Sequence, residues 1–513
     1  MGELRPLEVE LARCWWETAT VVSPEAEARR VDIDVERRTL LSDPDRFAAV
    51  RDARDDEADP LVRRQLDILH DTLLPNQLPA ELRRELAELE AALDSTYNVF
   101  RGEIDGRAVD DNEIAQVLRT SDDSAERRAA WEASKQVGAE VADRVRALAR
   151  LRNVAARAVG FRDHFALALA ASELDERRLL STLDEVDAAT AGPFEAWKAE
   201  IDATLVTRFG LAGPEALAPW HYDDPFFQEP PVTGSVDLDP VFADADVEAL
   251  TLRTYEGLGL DLAPVLAASD LYPRDRKSQH AFCIDIDREG DVRVLANIEP
   301  NERWMGTMLH EFGHAVYDRE VDRTLPWLLR GAAHPLTTEG IAMLLGRLVQ
   351  EPEWLRAVVG LADDQITDLA PRLRSTQRAA LLVFARWVLV MTHFERGLYA
   401  DPDADHDRRW WDLVERYQLL HRPDRRSPDW ASKIHLAVAP VYYQNYLYGE
   451  LVASQLQAYL DAQTGGLVDR RGAGALLVER VFRPGASRRW DALVTDATGE
   501  PLTARHLAAQ LAP

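Results

Sequence analysis

A chain of 513 residues with 46% hydrophobic content carries enough apolar material for a sizeable core, as one large body or several domains. Its formal net charge of −29 argues against nucleic acid or an anionic membrane as a partner, since both need basic surface. Two widely separated cysteines, Cys14 and Cys283, argue against a disulfide framework, and no apolar run approaches membrane-spanning length. With no signal-peptide pattern at the N-terminus, a cytoplasmic protein in a reducing compartment is expected.

In chain order, residues 4 to about 206 read as successive helices separated by short polar breaks. The clearest run over Pro79–Phe100, Ser124–Val159 and Glu173–Arg208, the last with a candidate break at Gly192-Pro193. None carries a cluster of metal ligands, so residues 1–208 are expected to be a helical scaffold and cleft wall. Between Phe209 and Asp246 six prolines forbid a long helix, yet Trp220-His221-Tyr222 and Phe226-Phe227-Gln228 are too aromatic for a linker; an ordered, packed loop is expected. A helix returns at Val247–Gly257. Gln279 to Asn297 then alternates with period two around a Gly-containing turn, a hairpin signal.

The hairpin feeds directly into the stretch with the strongest chemical signal. Trp304 to Tyr317 has helical apolar spacing, with Asn301 as its expected N-cap. On that helix His310 and His314 are four residues apart and leave the same face, so two imidazoles can hold one zinc ion while Glu311 addresses a water at the open position. A catalytic zinc site needs a third protein ligand. Glu339, 25 residues after His314 on the next helix beginning at Pro335, is the natural candidate, and His334 in the preceding loop competes with it. Further helices are expected over Glu353–Gly360, Pro371–Tyr399 and Pro440–Thr464, the last stopped by Gly465-Gly466. Lys433-Ile434-His435 reads as extended, which would put Lys433 and His435 on one face.

His310-Glu-Phe-Gly-His314, Arg330-Gly-Ala, Pro335 and Glu339 resemble the zinc region of the angiotensin-converting-enzyme family of peptidyl-dipeptidases. They also resemble the related thimet oligopeptidase and oligoendopeptidase family. His280-Ala281, Lys433-Ile-His435 and the Tyr442-Tyr443-Gln-Asn-Tyr446 segment are similar to further stretches of the converting enzymes, so the likeness covers most of the chain and suggests a bacterial-type member. The resemblance implies that Glu311 is the general base and that His435 and Tyr446 donate to the oxyanion. It also implies that His280 and Ala281, on an edge strand, bind substrate backbone. Lys433, with Tyr443 and with Gln228 as the counterpart of a carboxylate-binding glutamine, would hold a substrate carboxylate. Tyr442 and Tyr448 are expected to pack in the core. Two departures stand out: Met343 replaces the acid that supports a zinc histidine, and Asn445 replaces the arginine tied to chloride activation.

The expected fold is therefore mainly α: two helical lobes around a deep active-site cleft, with a small β-element beside the His-Glu-x-x-His helix, as in gluzincin peptidases. Residues 1–513 would form a single metallopeptidase unit, with 209–513 as the zinc-binding catalytic part. The expected function is hydrolysis of short peptides with one Zn2+, as peptidyl-dipeptidase or oligopeptidase. Two alternatives stay open: the same site specialised for a modified peptide or amide in secondary metabolism, and a non-catalytic helical binding protein. Oligomeric state is not legible.

Overall fold

The computed structural model describes residues 2–21, 24–231 and 236–511. Helix dominates from the start, in four segments: α1 (Leu4–Thr20), α2 (Pro24–Leu41), α3 (Pro44–Asp56) and α4 (Pro60–Leu73). Asp43 and Asp59 open α3 and α4; each carboxylate accepts two first-turn N–H groups, and a proline follows where no N–H is needed. After α5 (Ala80–Val99) the expected run of helices is interrupted by a hairpin, β1 (Gly102–Ile104) and β2 (Arg107–Val109), turning at Asp105-Gly106 with positive φ at both. Three-residue strands are too short to show alternation, and the Asp-Gly pair was the only available signal.

Helices α6 (Asp111–Thr120), α7 (Ser124–Ala158), α8 (His164–Ala171) and α9 (Glu176–Phe209) follow. No break occurs at Gly192-Pro193: α9 runs through it, with Thr190 and Phe194 buried on either side. The aromatic loop beyond is ordered and packed as expected. His221 Nε2 lies 2.8 Å from Ser124 Oγ, and Trp131 Nε1 donates to the Pro225 carbonyl at 3.0 Å. Its residues 232–235 lie outside the described set.

Three short helices, α10 (Asp239–Phe242), α11 (Val247–Leu258) and α12 (Ala263–Ala268), lead to the second hairpin, β3 (Phe282–Asp285) and β4 (Val292–Leu295), paired with Cys283 opposite Val294. Then come α13 (Glu302–Glu320) and α14 (Pro335–Gly346). The helix expected to Gly360 is a single α-turn, α15 (Pro352–Trp354), continued as a π-turn and stopped by left-handed Gly360. Pro371 does not start the next helix; α16 (Asp363–Ala400) contains it. The chain closes with α17 (His406–Gln418), α18 (His435–Val438), α19 (Tyr443–Thr464), α20 (Arg471–Leu477), α21 (Trp490–Thr498) and α22 (Arg505–Gln510). Gly465 and Gly466, both with positive φ, end α19 as expected.

The chain divides into two compact units made of interleaved stretches. The first gathers Met1–Gln77, Val236–Arg374 and Tyr448–Leu507; the second gathers Leu78–Ser235, Ser375–Leu447 and Ala508–Pro513. The core of the first includes α13 and α14, whose Met305, Met308, Leu309, Phe312, Leu336, Ile341 and Leu345 are all fully buried. Buried Tyr255 of α11 donates to the Leu309 carbonyl at 2.6 Å. In the second, Trp131, Trp387 and Trp430 are among the largest fully buried side chains. Among the described residues no helix is long and apolar enough to cross a membrane.

Candidate active site

The geometry of the first unit's site begins with the cap of α13. Asn301 Oδ1 accepts the Trp304 N–H at 2.9 Å, fixing where the helix starts and hence which face each later residue takes. Burying the Met305-Met308-Phe312 stripe leaves His310 and His314 on the opposite, half-buried side, with ring centroids 4.9 Å apart.

Helix α14 crosses α13 closely because a glycine sits at the contact. A Cβ on Gly313 would lie 2.9 Å from the Ala342 Cα, so only glycine permits this separation. Ala342 is three residues beyond Glu339, and the crossing delivers that carboxylate to the histidines. Glu339 Oε2 lies 3.7 Å from His310 Nε2 and 4.0 Å from His314 Nε2, and all three donor atoms fall within 4.8 Å of one another. Helix α19 backs the arrangement, since a Cβ on Gly449 would meet Glu339 Cβ and Met343 Sδ, each at 3.1 Å. His334 does not join the cluster. It is buried as the N-cap of α14, its Nδ1 accepting the Leu336 N–H at 3.0 Å.

The donor chemistry suits a metal ion. Burial pushes His310 down to about 4, and burial together with His310 pushes His314 down to about 3, so both rings are neutral, the ligating form. His314 Nδ1 sits 2.7 Å from Thr338 Oγ1; with Nδ1–H donating there, the Nε2 lone pair is free to point at an ion. Burial raises Glu339 to about 7, and burial plus the Glu339 charge raises Glu311 to about 8. A buried and a half-buried carboxyl without a cation are an expensive arrangement, and a divalent ion among them would reverse the balance. Two imidazole nitrogens and a carboxylate oxygen are the donor set that a zinc ion takes, and the side chains would have to draw together to hold one.

Glu311 is buried, and the backbone N–H of Cys283 on β3 partly offsets the upward shift of its carboxyl. Cys283 is a packed strand residue whose thiol burial pushes well above its ordinary value, the opposite of an activated nucleophile. The outer edge of β3 has no strand partner among the described residues. His280 and Ala281 are not on that strand, contrary to expectation. They precede it, His280 exposed, because buried Lys277 donates to the carbonyls of Asp270 and Tyr272 and holds the approach in turns.

The remaining candidates gather in the second unit. Lys433 Nζ donates to Gln228 Oε1 at 2.9 Å, joining residues 205 apart in sequence. The same ammonium lies 5.6 Å from the Tyr443 ring centroid, and the His435 and Tyr443 rings are 4.9 Å apart. Tyr446 follows one turn along α19, its ring 5.6 Å from Tyr443. Lys433-Ile434-His435 is not extended: Ile434 is helical and His435 opens the one-turn α18, so alternation does not place these side chains. Burial lowers Lys433 to about 8 against the pull of Asp224 and Glu229, and lowers His435 to about 4 with help from Lys433. Helix α19 starts at Tyr443 rather than Pro440. Tyr448 is fully buried as expected, whereas Tyr442 is only half-buried and edge-on to Tyr446. Two contributors went unread in the sequence. Thr338 could have been found from its place one residue before Glu339; Asp224, whose Oδ2 accepts from Gln228 Nε2 at 3.3 Å, offered no local signal.

A sequence profile for angiotensin-converting enzyme, a peptidase family, matches residues 3–194 and 272–511, most of the chain. The chain belongs to that family. Membership fits the mainly helical fold with its small antiparallel sheets. All three clustered donors, Glu311, Lys433, His435, Tyr443 and Tyr446 lie within the matched stretches, and Gln228 lies outside them. One curated relative, the angiotensin-converting enzyme-related protein of Drosophila melanogaster, is 22% identical over 242 residues. That match covers 43% of this chain and 38% of the relative, so well under half of the relative's length is represented.

Proposed function

We propose that this family member is a zinc-dependent peptidase that takes short peptides and releases dipeptides from their C-termini, with residues 1–513 acting as one catalytic unit. The observation that carries the reading is the convergence of His310, His314 and Glu339 donor atoms within 4.8 Å, beside buried Glu311. His310 Nε2, His314 Nε2 and Glu339 Oε2 are the atoms suited to hold the ion. Bound zinc would supply Lewis acidity and lower the pKa of an attacking water. Glu311 accepts that water's proton and returns it to the leaving amine, a role that suits a carboxyl whose pKa is raised toward neutrality. Following the family resemblance, the Tyr446 hydroxyl and His435 donate to the carbonyl oxygen as it gains negative charge. Lys433, with Tyr443 and Gln228 beside it, receives the substrate's terminal carboxylate; their clustering in one unit supports that assignment. The outer edge of β3 offers backbone groups to an extended peptide.

The test is metal analysis of the purified protein, then digestion of one peptide as free acid and as C-terminal amide, read by mass spectrometry. Stoichiometric zinc and successive loss of dipeptides from the free acid alone are expected. Equal cleavage of acid and amide at internal bonds would replace dipeptide release with endo-acting oligopeptidase activity, and a metal-free, inactive protein would remove the enzymatic reading altogether.

A further inference from the structure

Between His435 and Tyr446 the backbone makes an unusual turn. Val441 has φ +53°, and among the described residues it is the only β-branched one with positive φ. A branched Cβ makes that conformation costly, so it persists only where the surroundings over-determine it. Here both peptide groups of Val441 are held by buried side chains. Its N–H donates to Glu395 Oε1 at 2.8 Å, and its carbonyl accepts from Gln444 Nε2. Glu395, on α16, is 2% exposed and Gln444 is 1% exposed. The other end of the segment is pinned as well: Arg152 of α7 donates to the carbonyls of Leu436 at 3.0 Å and Ala437 at 2.6 Å. Two residues after Val441, α19 begins with Tyr443, and Tyr446 follows on its first turn.

We propose that Glu395 is a positioning residue that, with Gln444, locks Val441 in the left-handed conformation and thereby sets where α19 starts and how Tyr443 and Tyr446 are aimed relative to His435. The inference rests on the roles proposed above for those three side chains. Were Val441 to relax to negative φ, the first turn of α19 would reorient and both phenol rings would move with it. Displacements of about 1 Å in such groups cost on the order of a hundredfold in rate. The carboxyl's charge is not what the clasp needs. Burial lifts Glu395 to about 8 against the pull of the Val441 N–H and Arg152, and an oxygen acceptor suffices.

Four variants of the zinc-loaded enzyme test the clasp: Glu395→Leu, Glu395→Gln, Val441→Gly and the double Glu395→Leu/Val441→Gly. Glycine takes positive φ without a Cβ penalty, so it should make the clasp dispensable. Glu395→Leu should lose roughly ten- to a hundredfold in kcat with KM within about threefold, and amides 441–446 should lose hydrogen-exchange protection. Glu395→Gln, which keeps an acceptor oxygen, should stay close to wild type. The double variant should regain most of the lost kcat and protection. Wild-type kcat and protection in Glu395→Leu, or a double variant no better than Glu395→Leu, overturns the proposal. If Glu395→Leu does not fold, Gln444→Met loosens the same residue from its carbonyl side and is read the same way. A normal kcat in Tyr446→Phe alongside the expected exchange and rescue pattern would show that the role of Tyr446 is wrong while the clasp stands.

Discussion

Replacing Gly313 by alanine adds one methyl group at the tightest point between α13 and α14. The new Cβ would lie 2.9 Å from Ala342 Cα and 3.4 Å from both Ala342 N and Ile341 O, all backbone atoms that cannot swing aside. Ordinary carbon contacts need about 3.5–4.0 Å, so the helices must part by roughly 0.6–1 Å. Two effects oppose each other. Alanine gains about 0.8–1.0 kcal/mol of helix propensity over glycine, while forced overpacking typically costs about 1–3 kcal/mol. Overpacking wins, and a net loss of up to about 2 kcal/mol is expected. The larger consequence falls on the metal. Glu339 sits three residues before Ala342 on the same helix, and metal ligands tolerate shifts of only about 0.2 Å, so zinc affinity should fall at least tenfold, about 1.4 kcal/mol. Chelator competition measures the affinity, and thermal unfolding with and without zinc measures the linked stabilisation. Gly192→Ala in α9 is the control: nothing lies within 4 Å of its Cβ position, so propensity alone should act and raise stability slightly. Wild-type zinc affinity in Gly313→Ala would refute the claim that this helix crossing sets the ligand geometry.

Glu339→Gln should lose zinc, whereas Glu311→Gln should keep stoichiometric zinc and lose turnover; metal analysis and a peptide assay separate the two. Thr338→Val removes the hydroxyl that holds His314 Nδ1 at 2.7 Å and should weaken zinc by about ten- to a hundredfold with little change in fold, read by chelator competition and circular dichroism. Tyr446→Phe should lower kcat by about a hundredfold with KM nearly constant; an unchanged kcat would move the oxyanion role elsewhere. Lys433 has its ammonium lowered to about 8 by burial, so it is charged below that pH and neutral above it. The preference for free-acid over amide peptide should accordingly decline in kcat/KM as pH rises through about 8, and Lys433→Ala should lack both the preference and its pH dependence.

The clustering of His310, His314 and Glu339 was legible because its information is local: a four-residue step on one helix and an acidic residue early in the next. The ends of elements were less so. Alternation continued through His280 and Ala281, but what keeps them out of β3 is Lys277 reaching carbonyls of Asp270, Tyr272 and Ala296, contacts that leave no period in the sequence. Likewise Lys433-Ile434-His435 looked extended until the Arg152 side chain, more than 280 positions away, claimed the carbonyls of Leu436 and Ala437 and favoured a helical turn. The pairing of Lys433 with Gln228 shows the same limit. Each residue was picked out separately by resemblance, yet only folding reveals that one donates to the other.

The support that Gly449 gives to Glu339 also bears on how the protein is made. These residues pack together in one unit but are 110 positions apart, and that unit also needs Tyr448–Leu507 to close. At typical synthesis rates of about 5–20 residues per second, the clustered donors of His310, His314 and Glu339 emerge roughly 5–20 s before the helix that braces them. A nascent chain would therefore expose two histidines and a carboxylate on unbraced helices for that interval. If the proposed zinc binds there, metal captured in that interval would meet a loose, unselective site, and loading is expected after α19 has docked.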